Sequence, residues 1–157
     1  MNALNTIFIL IICFFTPISQ AQLKSVYQIL EDVDSQIVQI SVDDLAKKME
    51  TDSTFYLIDA RTEREYLSGH IQNAIWIPRG LLEFRIQKTI AEPETEIIVY
   101  CKAGGRSALA VYTLLQMGYK NVFNLEGGIK QWVVKGNNIY NELGELSVIE
   151  FEKLESE

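Results

Sequence analysis

Histidine occurs once in this 157-residue chain, at position 70, and cysteine only twice, at 13 and 101. That scarcity excludes several chemistries. A zinc site of cysteine and histidine needs more ligands than these, and neither cysteine stands two residues from the other, as a dithiol redox motif requires. Cations are outnumbered as well: 14 Lys and Arg face 21 Asp and Glu, a formal net charge of -7, whereas a nucleic-acid surface needs a concentrated basic patch. The acidity reads as a solvated, soluble surface. The Gly-x-x-x-x-Gly-Lys-Ser/Thr order of a nucleotide-binding loop is missing, as are internal repeats and low-complexity linkers. What remains, 48% hydrophobic and 22% charged residues, is the composition of a globular protein with one core.

The one long apolar run lies at the start. Ile7 to Phe15 is unbroken but too short for a comfortable membrane span, and Ser19-Gln20-Ala21 after it has the small-x-small order of a cleavage site. These features predict a signal peptide over 1–21, cut before Gln22, and so an exported protein, periplasmic or extracellular, with no stable membrane anchor. Met1 to Thr6 departs from the pattern in having no Lys or Arg, and Cys13 lacks the small residues of a lipoprotein anchor before it. Cleavage would leave Cys101 as the only thiol. A lone cysteine in an exported protein has no internal disulfide to make and is flagged as reactive.

Residues 22–37 read as a polar N-terminal extension with a short helix around Val26 to Leu30. Ser41-Val42-Asp43-Asp44 has capping-box spacing and opens a helix with Val42, Leu45 and Met49 on one face. Phe55 to Ile58 is a short buried strand with Asp59 at its carboxyl end, and Thr62-Glu63-Arg64-Glu65 caps a short helix that Gly69 closes. Ala74 to Ile77 is a strand stopped by Pro78, and Leu81 to Thr89 a helix ending before Pro93. Ile97 to Tyr100 has no polar alternation, as expected of a strand covered on both faces. A helix over Ala108 to Met117, a strand over Val122 to Leu125 and a helix over Ile129 to Val134 follow. Alternating strands and helices predict a parallel α/β sheet. The acidic C-terminal tail, 137–157, forms one loosely packed helix through Leu146, Ile149 and Leu154 or stays mobile.

The chemistry points to Cys101-Lys102-Ala103-Gly104-Gly105-Arg106-Ser107, at the junction of a strand and a helix. Backbone N–H groups there lack intrahelical partners and lie beside the positive end of the helix dipole, where anions are stabilised. The same donors and Arg106 favour the thiolate of Cys101, its nucleophilic form. Gly104 and Gly105 let the backbone curl and keep side chains away from a ligand. The competing reading is a buried structural cysteine, since free cysteine is commonly buried.

This loop resembles the active-site loop of the rhodanese family of sulfurtransferases, Cys-x-x-Gly-x-Arg-Ser/Thr. Leu57-Ile58-Asp59-Ala60-Arg61-Thr62-x-x-Glu65-Tyr66-x-x-Gly69-His70-Ile71-x-x-Ala74-x-x-Ile77-Pro78 is similar to the family's first signature. Gly118-Tyr119-x-Asn121-Val122-x-Asn124-Leu125-Glu126-Gly127-Gly128-Ile129-x-x-Trp132 is similar to its closing segment. Together they place a rhodanese-like domain over 38–136, and three ordered motifs are more specific than one. The resemblance implies an α/β, rhodanese-like fold: a parallel sheet of about five strands with helices on both faces. It also implies a sulfurtransferase in which Cys101 takes a sulfane sulfur from thiosulfate or a similar anion, holds it as a persulfide and passes it to cyanide or to a thiol acceptor, small molecule or protein. No metal or cofactor is implied.

Within that resemblance, Lys102, Ala103, Gly104, Gly105, Arg106 and Ser107 form the substrate-binding loop, with Asp59 and Arg61 in support. Arg106 either meets the anionic donor or makes a structural salt bridge; Lys102 attracts the donor or is merely solvated. Asp59 reads as a brace for a loop or for Arg61, because a thiolate needs no base. His70 reads as a hydrogen-bonding residue leading into a strand rather than a partner of Cys101. Trp76 and Trp132 read as core. Two further functions compete. One is a binding or persulfide-carrier module with little thiosulfate turnover. The other is a phosphatase or arsenate reductase of the same fold, disfavoured because those relatives place five residues between Cys and Arg and this chain has four.

Overall fold

The computed structural model describes residues 22–51 and 54–146. The expected signal peptide over 1–21 and the residues 147–157 lie outside the described residues. A five-stranded parallel sheet forms the middle layer, with β1 (Val38–Ile40), β5 (Asn121–Leu125), β4 (Glu96–Tyr100), β2 (Tyr56–Asp59) and β3 (Ile75–Trp76) in that spatial order. The order reverses between β4 and β2, so their carboxyl ends flank the crevice in which open parallel sheets bind ligands. Cys101 follows β4 and Asp59 ends β2. The pairing continues past the strands, because Ala60 N donates to Tyr100 O at 2.9 Å.

Both faces of the sheet are covered, which is why the central strand is apolar at successive positions. Ile97 and Val99 face one core with Ile58 and Val122, under α1 (Val26–Asp34), α4 (Leu82–Thr89) and α5 (Gly105–Gln116). Ile98 and Tyr100 face the other with Leu57 and Leu125, under α2 (Val42–Thr51) and α6 (Gly128–Val134). The helix starts follow from local chemistry. Ser41 Oγ accepts the N–H of Asp44 at 3.1 Å at the head of α2. At the head of α3 (Glu63–Ser68), Thr62 and Glu65 cap each other reciprocally.

Three sequence expectations change. The strand β1 starts directly after the segment read as polar extension, at residues assigned no strand: Val38 and Gln39 are exposed because β1 is an edge strand, so no apolar run marked it. The helix expected around Val26 to Leu30 runs on to Asp34 behind a Ser25–Gln28 capping box, and Val33 is buried in the core. The tail is corrected most. Instead of a loose helix or a mobile segment, 139–146 form an antiparallel hairpin of β6 (Ile139–Asn141) and β7 (Gly144–Leu146). Ile139 and Leu146 pair across it and both bury against the Trp132 core. Leu146 opens no helix: after a turn at 142–143, with Gly144 at φ 117°, it ends a strand whose side chains alternate with a period of two. Ile149 and Leu154 are outside the described residues. Tyr140 also pairs with His70 by two backbone bonds of 2.8 and 2.9 Å.

The end of β2 is fixed by a fully buried ion pair. Arg61 Nε lies 3.0 and 3.1 Å from the two Asp59 oxygens, Nη2 lies 2.7 Å from Oδ2, and the Arg61 N–H donates to Oδ1 at 2.9 Å. Burial works against the Arg61 charge, but the hydrogen bond and attraction of Asp59 outweigh it and hold the guanidinium above its ordinary value. Nη2 also donates to Gly69 O at 2.6 Å, tying the end of α3 to the sheet. Removing one partner of such a pair strands a buried charge, so Asp59→Ala is expected to cost about 3–5 kcal/mol in urea unfolding. The double substitution Asp59→Leu with Arg61→Met should recover part of that loss. A single-mutant cost below about 1 kcal/mol would show that the pair contributes no more than a surface bridge.

Candidate active site

The thiol of Cys101 is only 1% exposed and sits inside its loop. Its sulfur accepts from Gly104 N at 3.2 Å and from Ser107 Oγ at 3.4 Å. Ser107 Oγ also lies 2.9 Å from Gly104 O, so its one O–H proton is shared between the sulfur and that carbonyl, and the Gly104 N–H is the sulfur's undivided donor. Gly104 caps α5 at φ 95°, a left-handed conformation that turns its N–H toward the sulfur. The helix begins at Gly105, three residues earlier than the sequence pattern suggested, so Gly105, Arg106 and Ser107 are its first turn. The positive end of the helix dipole therefore begins inside the loop.

The carbonyls of the loop point outward because α6 takes them. Ile129 N donates to Cys101 O at 2.9 Å and Lys130 N to Lys102 O at 3.0 Å. In a trans peptide the next N–H points opposite to the carbonyl, so the Lys102 and Ala103 N–H groups face away from α6. This contact requires glycine at position 128. A β-carbon there would lie 2.3 Å from Cys101 O and 2.9 Å from Lys102 O, at φ 59°.

Arg106 is committed to a salt bridge. Its Nη1 and Nη2 lie 2.9 and 2.6 Å from the two oxygens of Glu65, a bidentate clasp between α5 and α3. The hydrogen bond to Arg106, opposed by burial and helped by the Thr62 backbone and hydroxyl, holds the Glu65 carboxyl down at about 2. The hydrogen bond to Glu65 raises Arg106 in turn, against desolvation, with smaller contributions from the charge and contact of Cys101. Arg106 thus takes its structural reading.

Of the residues singled out from sequence, Cys101, Gly104 and Ser107 converge on the sulfur. Lys102 and Ala103 are exposed on the loop. Asp59 and Arg61 form the buried brace. His70 stacks on Tyr66 with ring centroids 4.0 Å apart, and its Nδ1 lies 3.0 Å from Tyr66 O. Its partners are thus on α3 and in the hairpin, not at the sulfur. Trp132 is buried with Nε1 on Asn138 O; Trp76 is half-buried with Nε1 on Arg61 O. Sequence reasoning missed two residues. Glu65 was visible as a helix cap and as a position of the first family motif, but not as the partner of Arg106, which lies 41 residues away. Gly128 stood in the closing family motif with no role assigned; the doubled Gly127-Gly128 was the available signal of a close backbone approach.

Two outcomes follow from this geometry. Gly128→Ala should lower stability by about 2 kcal/mol or more, because a left-handed alanine and a backbone clash coincide; calorimetry reads it, and a change within about 0.5 kcal/mol would show that α6 does not press on the loop. The Glu65 carboxyl is depressed in the folded state, so its contribution is complete above the ordinary value of 4.5 and is lost as pH falls from there to about 2. Discounted for a half-exposed pair, that is about 1 kcal/mol. Glu65→Gln should be less sensitive than the parent to lowering the pH from neutral to about 3 in denaturant titrations; equal slopes would remove the pair from the acid response.

Comparison with known proteins agrees with this site. The profile of the rhodanese-like domain matches residues 41–135. A sulfurtransferase of Allochromatium vinosum is 32% identical over 98 residues, covering 62% of this chain and 90% of that protein. The Bacillus subtilis protein YrkF, named as a candidate sulfur carrier, is 32% identical over 101 residues, 64% of this chain and 54% of its own. The chain therefore spans only about half the length of that relative. The crystal structure of a rhodanese-related protein from Thermoplasma volcanium superposes with a TM-score of 0.58 at 33% identity, covering 67% of this chain and 99% of that one. The motifs, the sheet order and these likenesses converge: the chain belongs to the rhodanese-like family of sulfurtransferases.

Proposed function

We propose that the protein moves a sulfane sulfur through a persulfide on Cys101, with thiosulfate or a similar anion as donor and a thiol, or cyanide, as acceptor. The observation that carries this reading is a cysteine sulfur enclosed by a loop whose N–H groups and helix dipole favour negative charge. In the first half-reaction the Cys101 thiolate attacks the outer sulfur of thiosulfate. A new S–S bond forms, the S–S bond of the donor breaks, and sulfite leaves with its electron pair. The outer sulfur of the persulfide carries one negative charge, which the loop N–H groups stabilise. In the second half-reaction an acceptor thiolate attacks that sulfur, the enzyme's S–S bond breaks, and the Cys101 thiolate returns. The residues 1–21 support export, with a mature chain starting at Gln22 that N-terminal sequencing would read.

The test is intact mass after incubation with thiosulfate. The parent should gain one sulfur atom and lose it to an added thiol, while Cys101→Ser, nearly isosteric, keeps the fold and gains nothing. Turnover of aryl phosphates or arsenate should be negligible beside sulfur transfer, because the four-residue spacing to Arg106 encloses less space than the five-residue version. Loading that persists in Cys101→Ser would move the carrier elsewhere. Loading without thiosulfate turnover would favour the carrier-module reading, and phosphatase turnover comparable to sulfur transfer would overturn the assignment.

A further inference from the structure

One helix face carries charge opposite in sign to that of the chain as a whole. Residues 66–91 hold Arg79, Arg85 and Lys88 against a single carboxylate, Glu83, in a chain whose formal net charge is -7. Glu83 is already engaged, since its Oε1 accepts from Arg79 Nη1 at 2.6 Å. Leu82 and Ile86 bury the inner side of α4 in the core. On its outer side Leu81, Phe84, Arg85 and Lys88 recur at the spacing of one helix face, and all four are exposed, Phe84 to 75%. Neither Arg85 nor Lys88 makes an ion pair among the described residues. The Arg85 guanidinium instead lies over the ring of the half-buried Trp76, 6.0 Å from its centre, which holds the cation in place without neutralising it.

This face begins at the end of the sheet where the thiol sits. The chain leaves β3 through the single 3₁₀ turn Arg79–Leu81. Arg79 N donates to Ala60 O at 3.0 Å, and Ala60 N donates to the carbonyl of Tyr100, the residue before Cys101. Strands β3 and β4 are separated only by β2, a distance of about 10 Å. An exposed aromatic ring beside a held arginine is a combination that anchors protein partners. The two unpaired cations require that partner to be acidic. A second copy of the chain does not meet this by symmetry: an isologous contact sets Arg85 and Lys88 against themselves, and a contact with acidic surface elsewhere on the copy is head-to-tail and closes only as a ring. Two cations are also fewer than the roughly four to eight that hold a helix on an anionic membrane.

We propose that the outer face of α4 docks an acidic protein that accepts the sulfur, with Phe84 as the apolar anchor and Arg85 and Lys88 meeting its carboxylates. The proposal rests on the persulfide reading above. With the partner seated, a cysteine thiolate of the partner attacks the outer sulfur of the Cys101 persulfide. An S–S bond forms on the partner, the S–S bond to Cys101 breaks, and its electron pair returns to the Cys101 thiolate. The contacts on α4 raise the local concentration of the attacking thiol and leave the reacting atoms untouched. They therefore act on transfer to a protein and not on transfer to a small thiol.

Two synthetic peptides of equal length serve as probes, one built of leucine and glutamate around a single cysteine, the other with lysine for every glutamate. The first measurement is amide NMR of the labelled protein with serine in place of the peptide cysteine. Saturable shifts over 81–89 are expected with the acidic peptide and not with the basic one, against the preference that a net charge of -7 would give. The second is the rate at which each cysteine peptide discharges the persulfide loaded from thiosulfate. The acidic peptide should be faster by about tenfold at low salt, an advantage that high salt removes. Arg85→Glu with Lys88→Glu should abolish that advantage, and Phe84→Ala, at an exposed position, should slow the acidic peptide about fivefold. Loading by thiosulfate and discharge by 2-mercaptoethanol should match the parent in both variants. The proposal is overturned if the basic peptide shifts the same amides as strongly, if the variants discharge to the acidic peptide as the parent does, or if they slow the small thiol equally. Shifts of these amides with protein concentration alone would assign the face to a second copy, and the same shifts with phosphatidylserine vesicles but not with the acidic peptide would assign it to a membrane; either result overturns the proposal. A parent that takes no sulfur from thiosulfate overturns the persulfide reading and the acceptor role with it, while the NMR titration separately decides whether the face binds the acidic peptide.

Discussion

The contact of Gly128 with the backbone of Cys101 and Lys102 decides the character of this site. A loop of six residues can present either its carbonyls or its N–H groups to its interior, and the choice determines whether an anion is stabilised or repelled there. Here the first turn of α6 takes the carbonyls of Cys101 and Lys102. The peptide planes are then fixed with their N–H groups on the other side. This arrangement is available only if the α6 backbone can approach within hydrogen-bond distance, and a single methyl group at position 128 would occupy the space of the carbonyl oxygen. The electrostatics around the thiol thus depend on packing between two backbones, with no charged side chain required.

The charged side chains set position instead. Asp59 holds Arg61 at the end of β2, and Arg61 holds the carbonyl of Gly69 at the end of α3. The other end of α3 carries Thr62 and Glu65, and Glu65 clasps Arg106 on the first turn of α5. Sheet, α3 and α5 are linked by these contacts from the buried interior to the half-exposed rim. The inner pair is expensive to break because neither partner finds water, while the outer pair is partly solvated and contributes less. The brace is stiff where it meets the sheet and more yielding where a substrate would approach.

How much of this was legible in the sequence varied with the range of the interaction. Strands β2, β4 and β5 and the capping box at Thr62 were readable because apolar runs and caps are written in adjacent residues. The loop was readable because a cysteine, two glycines and an arginine stand within six positions, and because the family motifs around it are ordered. The edge strand β1 was not, since one exposed side removes the apolar signal, and only the resemblance supplied a fifth strand. The C-terminal hairpin was not, because a three-residue strand cannot be told by spacing from one turn of a helix. The partner of Arg106 was undetermined for a different reason: a salt bridge across 41 residues leaves no mark in either local segment. The same holds for the bond that Asn124 Nδ2 donates to Gln39 Oε1, across 85 residues, which exists only once β1 lies beside β5.

The fate of Arg106 bears on what the loop can hold. A tetrahedral dianion needs an arginine that is free to give both of its outer N–H groups to the ligand. In this chain those groups are engaged by Glu65, and the pair is neutral as a unit. What is left for a bound anion is the field of the loop N–H groups and the start of α5, which suits one negative charge on one atom. The sulfur is buried to 1% exposure and has Gly104 and Ser107 already in contact, so the space around it favours a single added atom over a group with four oxygens. An arginine captured by Glu65, a spacing of four residues between Cys101 and Arg106 and a nearly closed thiol are three separate features of this site, and each counts for the proposed persulfide over a phosphoryl or arsenyl intermediate.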